Sequence, residues 1–406
     1  MPLTRRALTA AASALALAPL ASPHAQRPVT LRWWYHFDDP KASPDALVAA
    51  FEQQNPGIKV QAESIPWGGG GDYDTRLYTA LIAGNGPDAA MVKFQNMSRL
   101  MEMEVLAPLD AYIAAWGARS DIPEDLWKLH RAPDGKRYYL PLQYVVLYLY
   151  VRQDWFAQNN LAMPATFDAF LTAAHALTTA DRWGFGLRGG LGGHDFWATF
   201  VLGGGATLEK GGLITPAALA ANRWFIDLHR THHVTPPSAP TDGFLQTINN
   251  MKAGRTAMTI HHVGSANDLA AALGDGITAL PVPHPAQGGG WSTYGDGSSA
   301  VFAASKNPEA AWKWISFLST GEANAAFAKL SAQLPVTSSS LRTWDAQPRR
   351  FIDASAQSLP TARVLPSTTQ TADFTRTVWP QTTQKALLGQ ITPDDMMKTF
   401  EKLYFG

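Results

Sequence analysis

From Val29 onward, short apolar runs alternate with amphipathic helical stripes, and the joints between them are only a few residues long. That alternation restricts the chain to an α/β architecture with largely parallel strand pairing. Val29 to Phe37 reads as a buried strand. Ser43 and Pro44 open a helix carrying Ala46, Leu47, Ala50 and Phe51, which Pro56-Gly57 closes. Ile58, Val60 and Ala62 alternate with polar residues as a second strand. The glycine loop Gly68 to Gly71 leads to a helix through Leu77, Leu81 and Ile82, and Ala89 to Val92 forms a third strand. Later strands are predicted over Val145–Val151, Ala257–Ile260 and Ile277–Leu280. Later helices are predicted behind Thr166, Thr215-Pro216 and Asn307-Pro308. A length of 406 residues suits two or three domains. With no internal repeat and no low-complexity linker, the domains are expected to be interleaved.

The first residues read as an address. Arg5 and Arg6 precede an apolar run from Ala7 to Leu20, too short to span a bilayer comfortably, and small residues follow to Ala25. This predicts an export signal over residues 1–25, with Thr4-Arg5-Arg6-Ala7-Leu8 similar to a twin-arginine signal. Its removal leaves 31 basic against 33 acidic residues. The mature chain is then expected outside the cytoplasm. Near-neutral charge excludes a strongly basic nucleic-acid binder. The absence of cysteine excludes disulfides, thiolate zinc sites, cysteine nucleophiles and a lipidated cysteine anchor.

Seven stretches, in order over nearly the whole mature chain, resemble the family 1 extracellular solute-binding proteins of ABC importers, the class that includes maltose- and glycerol-phosphate-binding proteins. They are Leu31-Arg32-Trp33-Trp34, residues 51–60, Ile82-Ala83-Gly84-Asn85-Gly86-Pro87-Asp88, residues 134–141, Pro164-Ala165-Thr166-Phe167, Gly254-Arg255-Thr256-Ala257-Met258 and residues 305–312. The resemblance implies a two-lobed type II periplasmic-binding-protein fold, with interleaved lobes joined by a hinge and the ligand in the interlobe cleft. It implies lobe crossings near Gln143, Pro283 and Leu318. One lobe would comprise residues 27–143 plus 284–318, the other 144–283 plus 319–406. It further implies a periplasmic, monomeric receptor that uses no cofactor and no metal, binds no nucleic acid, and delivers a sugar or oligosaccharide to the membrane permease subunits. A metal or a glycerol-phosphate-type solute is the alternative ligand, and a secreted glycoside hydrolase the alternative class. Loops that touch ligand in maltose-binding relatives map to Tyr35–Asp38, Lys93–Asn96 and His261–Gly264. Where many relatives carry Asn-Gly or Gly and a nearby Trp after the Ala-Met strand, this chain has His261, His262, Val263 and Gly264.

The residues support the same reading independently. Open α/β sheets bind ligands beyond the carboxyl ends of their strands. Those ends carry Trp34, Tyr35, His36 and Asp38; Trp67; Lys93, Gln95 and Asn96; Gln143 and Tyr144. Further on stand His261 and His262, then Trp291, Tyr294 and Asp296, the last three among glycines that suggest a loop tip. Trp197 joins this candidate set. Aromatic faces cover the apolar side of a sugar ring, while Asp, Asn, Gln and His engage hydroxyls. Asp88 reads as a structural carboxylate holding loop amides. Asp72 and Asp74 read as acids serving a helix start. His229, His232 and His233 have one-face helical spacing, but their place at a helix end needs no metal. No Gly-x-Ser-x-Gly elbow, His-Glu-x-x-His pair or Walker loop occurs. No arginine cluster marks a phosphate site, which favours a neutral sugar.

Overall fold

The computed structural model describes residues 28–37, 41–66, 71–286 and 289–406, without the side chains of Gly71, Asp72 and Asp296. The predicted export signal, Asp38, Trp67 and the acidic side chain of Asp296 therefore lie outside the described residues. Strands β1 (Val29–Tyr35), β2 (Ile58–Ser64) and β3 (Ala89–Val92) pair in parallel, with β1 in the middle. The first sheet continues through β9 (Ser292–Val301), β4 (Tyr139–Val146) and β10 (Leu334–Pro335), in the order β10-β4-β9-β3-β1-β2, and β11 (Ala362–Arg363) pairs with β9.

Alternation along β1 explains its packing. Leu31, Trp33 and Tyr35 share one core with Leu47, Phe51, Trp314 and Phe327, while Trp34 enters another with Tyr73 and Leu77. Trp33 stacks on Tyr35 with ring centroids 4.9 Å apart and meets Trp314 edge-on at 5.2 Å.

The second sheet has the order β6-β7-β5-β8, from β6 (Trp183–Gly186), β7 (Thr256–His261), β5 (Tyr148–Arg152) and β8 (Ile277–Leu280). Thr166 caps the helix Phe167–Leu177 by accepting the Ala169 N–H at 3.2 Å, and Thr215 likewise caps Pro216–Arg230 through the Ala218 N–H. The first of these helices lies on the sheet so closely that a Cβ at Gly184 would stand 2.1 Å from the Ala174 carbonyl oxygen. That contact fixes glycine at this point of β6.

Two expectations need correction. Pairing is not largely parallel: β9 runs antiparallel to β3 and β4, and β5 runs antiparallel to β7 and β8. Strands that return from the other sheet arrive in the opposite sense. The glycines around Tyr294 and Asp296 do not mark a loop tip but the ten-residue strand β9. A Cβ at Gly295 would lie 2.8 Å from Val145 Cγ2, and one at Gly297 would lie 2.7 Å from Gln143 Cγ. These glycines admit neighbouring side chains; they do not turn the chain.

The chain passes three times between the sheets. The predicted strand Val145–Val151 breaks at Leu147, where β4 leaves the first sheet and β5 enters the second. There the Leu147 N–H donates to the Thr293 carbonyl at 3.0 Å, and the Ser292 hydroxyl donates to the Leu147 carbonyl. The return runs from β8 to β9, through residues 281–291. The third passage comes later than Leu318. Residues 321–335 stay with the first sheet: β10 pairs with β4, and the buried Asn324 amide donates to the carbonyls of Leu142 (2.7 Å) and Leu318 (3.0 Å) and accepts the Val336 N–H. Only then does the helix Arg349–Ser358 reach β8, with Phe351 against Tyr150 at 5.4 Å.

Candidate interlobe site

The carboxyl ends of β1 and β3 in one lobe, and of β6 and β7 in the other, bring a set of polar groups together. On the first side His36 follows β1, with its ring edge-on to Tyr73 at 4.8 Å. Lys93 follows β3, and its positive charge acts on His36, Asp74 and His262. Its influence on His262, at the end of the second-lobe strand β7, places it between the lobes. Asn96 donates its amide to Asp74 at 2.9 Å.

Asp74, near the start of the helix Gly71–Ile82, is itself buried and forms an ion pair with Arg376 of the other lobe. Burial raises its carboxyl to about 6, against the opposing pull of Arg376, Asn96 and Lys93. Beside this pair, the Ser98 N–H donates to Ser367 Oγ at 3.0 Å, and the Ser367 hydroxyl donates to the Phe94 carbonyl at 3.2 Å. Its sequence position marks Asp74 as a helix-start acid; the structure gives it an interlobe partner that only the fold could reveal.

On the second side, the buried His261 shares a hydrogen bond between Nδ1 and Ser265 Oγ at 3.0 Å. His262 Nδ1 accepts the Gly264 N–H at 3.0 Å. Burial, then the charges of Lys93 and Arg188, lower His262 to about 3. The ring is therefore neutral at ordinary pH. With Nδ1 accepting, it carries its proton on Nε2 and offers a donor there. Phe244 lies beside both imidazoles, at 4.2 Å from His261 and 5.5 Å from His262, and Arg188 lies over the Phe244 ring at 5.4 Å. Arg188, Phe244 and Arg376 were not singled out in the sequence. The one available signal was that Arg188 stands two residues past β6, but Gly184 and Gly186 hide that strand.

The other predicted residues divide sharply. Gln143 lies beside Gly297 on the first sheet, and its buried Oε1 has no hydrogen-bond partner among the described residues. Tyr144 stacks on Tyr294 at 6.0 Å, with His130 edge-on to Tyr294 at 6.1 Å. Gln95 is exposed. Trp291 is half-buried against the second-lobe core and donates its indole N–H to Thr293 at 3.2 Å, beside the Leu147 passage. Trp34, Tyr35 and Trp197 are corrected: they are core side chains. Trp34 lies beneath the helix Gly71–Ile82, and Tyr35 is sandwiched between Trp33 and Phe37. Trp197 is wholly buried against Phe374 and Phe400, with its N–H donated to Asn222 at 3.0 Å.

Asp88 does hold a loop: it accepts the Arg32 N–H at 2.8 Å and the Ser305 hydroxyl at 2.6 Å. His229 turns to Thr235 (2.7 Å) and His232 to His175 (3.3 Å), so these rings do not converge with His233 on one point. Among the described residues, no group of three His, Cys, Asp or Glu side chains is arranged to hold a metal ion. No helix among them is long and apolar enough to cross a membrane.

This architecture has known counterparts. An ABC transporter solute-binding protein from Thermotoga lettingae, solved with α-D-tagatose, superposes with a TM-score of 0.79 at 22% identity, covering 93% of this chain and 100% of the other. An ABC substrate-binding protein from Listeria monocytogenes, solved with cycloalternan, gives 0.79 at 21% identity over 93% and 98%. A protein of Brucella abortus (strain 2308), named only as a binding protein, is 27% identical over 368 residues, covering 86% of this chain and 85% of its own length. Residues 37–325 match the family described as bacterial extracellular solute-binding protein, and the chain belongs to that family.

Proposed function

We propose that this protein is the exported receptor of an ABC importer. It closes its two lobes over a carbohydrate and releases it unchanged to membrane permease subunits. The observation that carries this reading is the meeting of His36, Lys93, Asp74 and Asn96 from one lobe with Arg188, His262 and Arg376 from the other. Such a seam supplies hydrogen-bond donors and acceptors for hydroxyls, with Phe244 and Trp291 as apolar faces. The solved relatives with tagatose and cycloalternan support a sugar as the solute class. His36, Lys93, Asn96, Gln143, His262 and Trp291 are the proposed contacts. The receptor acts as a monomer in the periplasm after cleavage of residues 1–25.

A thermal-shift screen of the mature protein against sugars, polyols and phosphodiesters tests the reading. A true ligand at about 100 times its Kd stabilises by roughly 2.7 kcal/mol. Recovery of that ligand chemically intact separates a receptor from a hydrolase, whereas product formation by the pure protein would overturn the proposal.

A further inference from the structure

The interlobe seam holds a partly buried arginine that forms no ion pair among the described residues. Arg188 is drawn into the second lobe at the carboxyl end of β6. Its Nε donates to the Leu191 carbonyl at 2.8 Å, and its guanidinium lies so tightly on the following turn that a Cβ at Gly192 would stand 2.0 Å from Nη2. Phe244 covers one face. Burial lowers its pKa. Among the described residues no carboxylate comes within ion-pair distance of it. Asp195 acts on it only from farther away, and stands 3.4 Å from His194 Nε2.

The neighbours of Arg188 do not compensate it. His261 and His262 are both held neutral, in part by Arg188 itself. Arg376, the other arginine of the seam, has its counter-charge in Asp74. A guanidinium paired with a carboxylate presents a locally neutral fork, which suits hydroxyls. A partly buried guanidinium without one carries a desolvation cost that a hydroxyl oxygen offsets only in part and an anionic oxygen offsets far better. Its planar donors match a carboxylate or phosphate edge in bidentate fashion.

We infer that the solute is an anionic carbohydrate, whose carboxylate or phosphate docks on the Arg188 guanidinium. This rests on the receptor reading above and replaces the expectation of a neutral sugar. That expectation came from the absence of an arginine cluster in the sequence; a single uncompensated arginine leaves no such trace.

The test compares matched probes on the mature protein by thermal shift and calorimetric titration. They are D-glucuronate and D-galacturonate with short oligomers of each, D-gluconate, glucose 6-phosphate and glycerol 3-phosphate, with D-glucose, D-galactose, D-sorbitol and glycerol as neutral counterparts. Inorganic phosphate alone separates a bare anion site from a sugar-phosphate site. The expected result is binding of an acidic probe at least about tenfold tighter than its neutral counterpart, the range of a charge-assisted hydrogen bond. Arg188→Gln should remove that advantage, and Arg188→Lys should keep part of it, because the charge remains while the fork is lost. Uronates and phosphates in separate arms tell the two anions apart. A neutral sugar that binds the native protein and Arg188→Gln equally well overturns this inference and leaves the receptor reading standing. A panel with no binder at all overturns both. If Arg188→Gln does not fold, the acid-to-neutral ratio of the native protein decides alone.

Discussion

Replacing Asp74 by Asn decides between two opposed effects at the interlobe ion pair. Arg376 and Lys93 favour the ionised carboxylate, as does the Asn96 amide, while burial favours the protonated acid; Tyr73 and Tyr78 are the nearby phenols on the same helix. Burial wins, and the carboxyl moves from 3.8 to about 6. A carboxyl whose folded-state pKa is raised contributes stability that is fully present below its unfolded value and is lost as pH rises through the folded value. The window is therefore pH 3.8 to about 6. Its depth is about 3 kcal/mol, at 1.36 kcal/mol per pKa unit.

A chain of this size has an unfolding entropy of about 0.8 kcal/mol/K, so the change corresponds to roughly 4 °C in Tm. Melting curves of native protein and Asp74→Asn should be recorded from pH 3.5 to 8 and subtracted, which cancels every other titrating group. The native protein should lose about 4 °C relative to the variant between the ends of that range. A flat difference shows that burial and pairing cancel. A difference of the opposite sign shows that Arg376 dominates and that the carboxyl is held below its usual range. Either result refutes the reasoning.

Other consequences are directly measurable. Trp197→Phe removes the N–H given to Asn222 and leaves a buried carbonyl oxygen unpaired, at a cost of about 1–3 kcal/mol in urea denaturation. Gly184→Ala places a methyl against the Ala174 backbone and should cost at least about 1–3 kcal/mol, seen as a lowered midpoint with unchanged ligand preference in any folded protein. Asp88→Ala strands the Arg32 N–H and the Ser305 hydroxyl and should destabilise by about 1–3 kcal/mol without changing affinity. Ligand saturation should change the small-angle scattering curve through rotation about Leu147 and its partners Ser292 and Thr293; identical curves count against closure.

Much of the fold was legible because hydrophobic runs matched element length. Ala89–Val92 and Ile277–Leu280 appear with the predicted bounds, and the Thr166 and Thr215 caps form as read. The two misread strands share one physical source. In β6 and β9, glycine serves close packing, yet locally it is indistinguishable from glycine that turns a chain. Of the candidate site, the residues that directly follow a recognisable strand, His36, Lys93 and His262, were legible as candidates. Trp34 and Tyr35 fail because both faces of β1 are covered, so its last residues are interior too. Arg376 could not be found: its role depends on a contact with Asp74 across 302 positions of sequence.

The position of β9 also governs the order in which this protein can be built. Until residues 292–301 leave the ribosome, β3 and β4 have open edges toward one another, separated by the strand that will join them. A nascent chain of about 290 residues thus holds β1, β2 and β3 paired in parallel and β4 apart from them, while the helices within residues 308–342 that pack on this sheet are still to come. It presents unpaired backbone edges of the kind that invite intermolecular pairing. The first lobe to be synthesised is consequently among the last to be completed, and a truncation anywhere before β9 removes the middle of a sheet, where a contiguous two-domain protein would lose only its second domain.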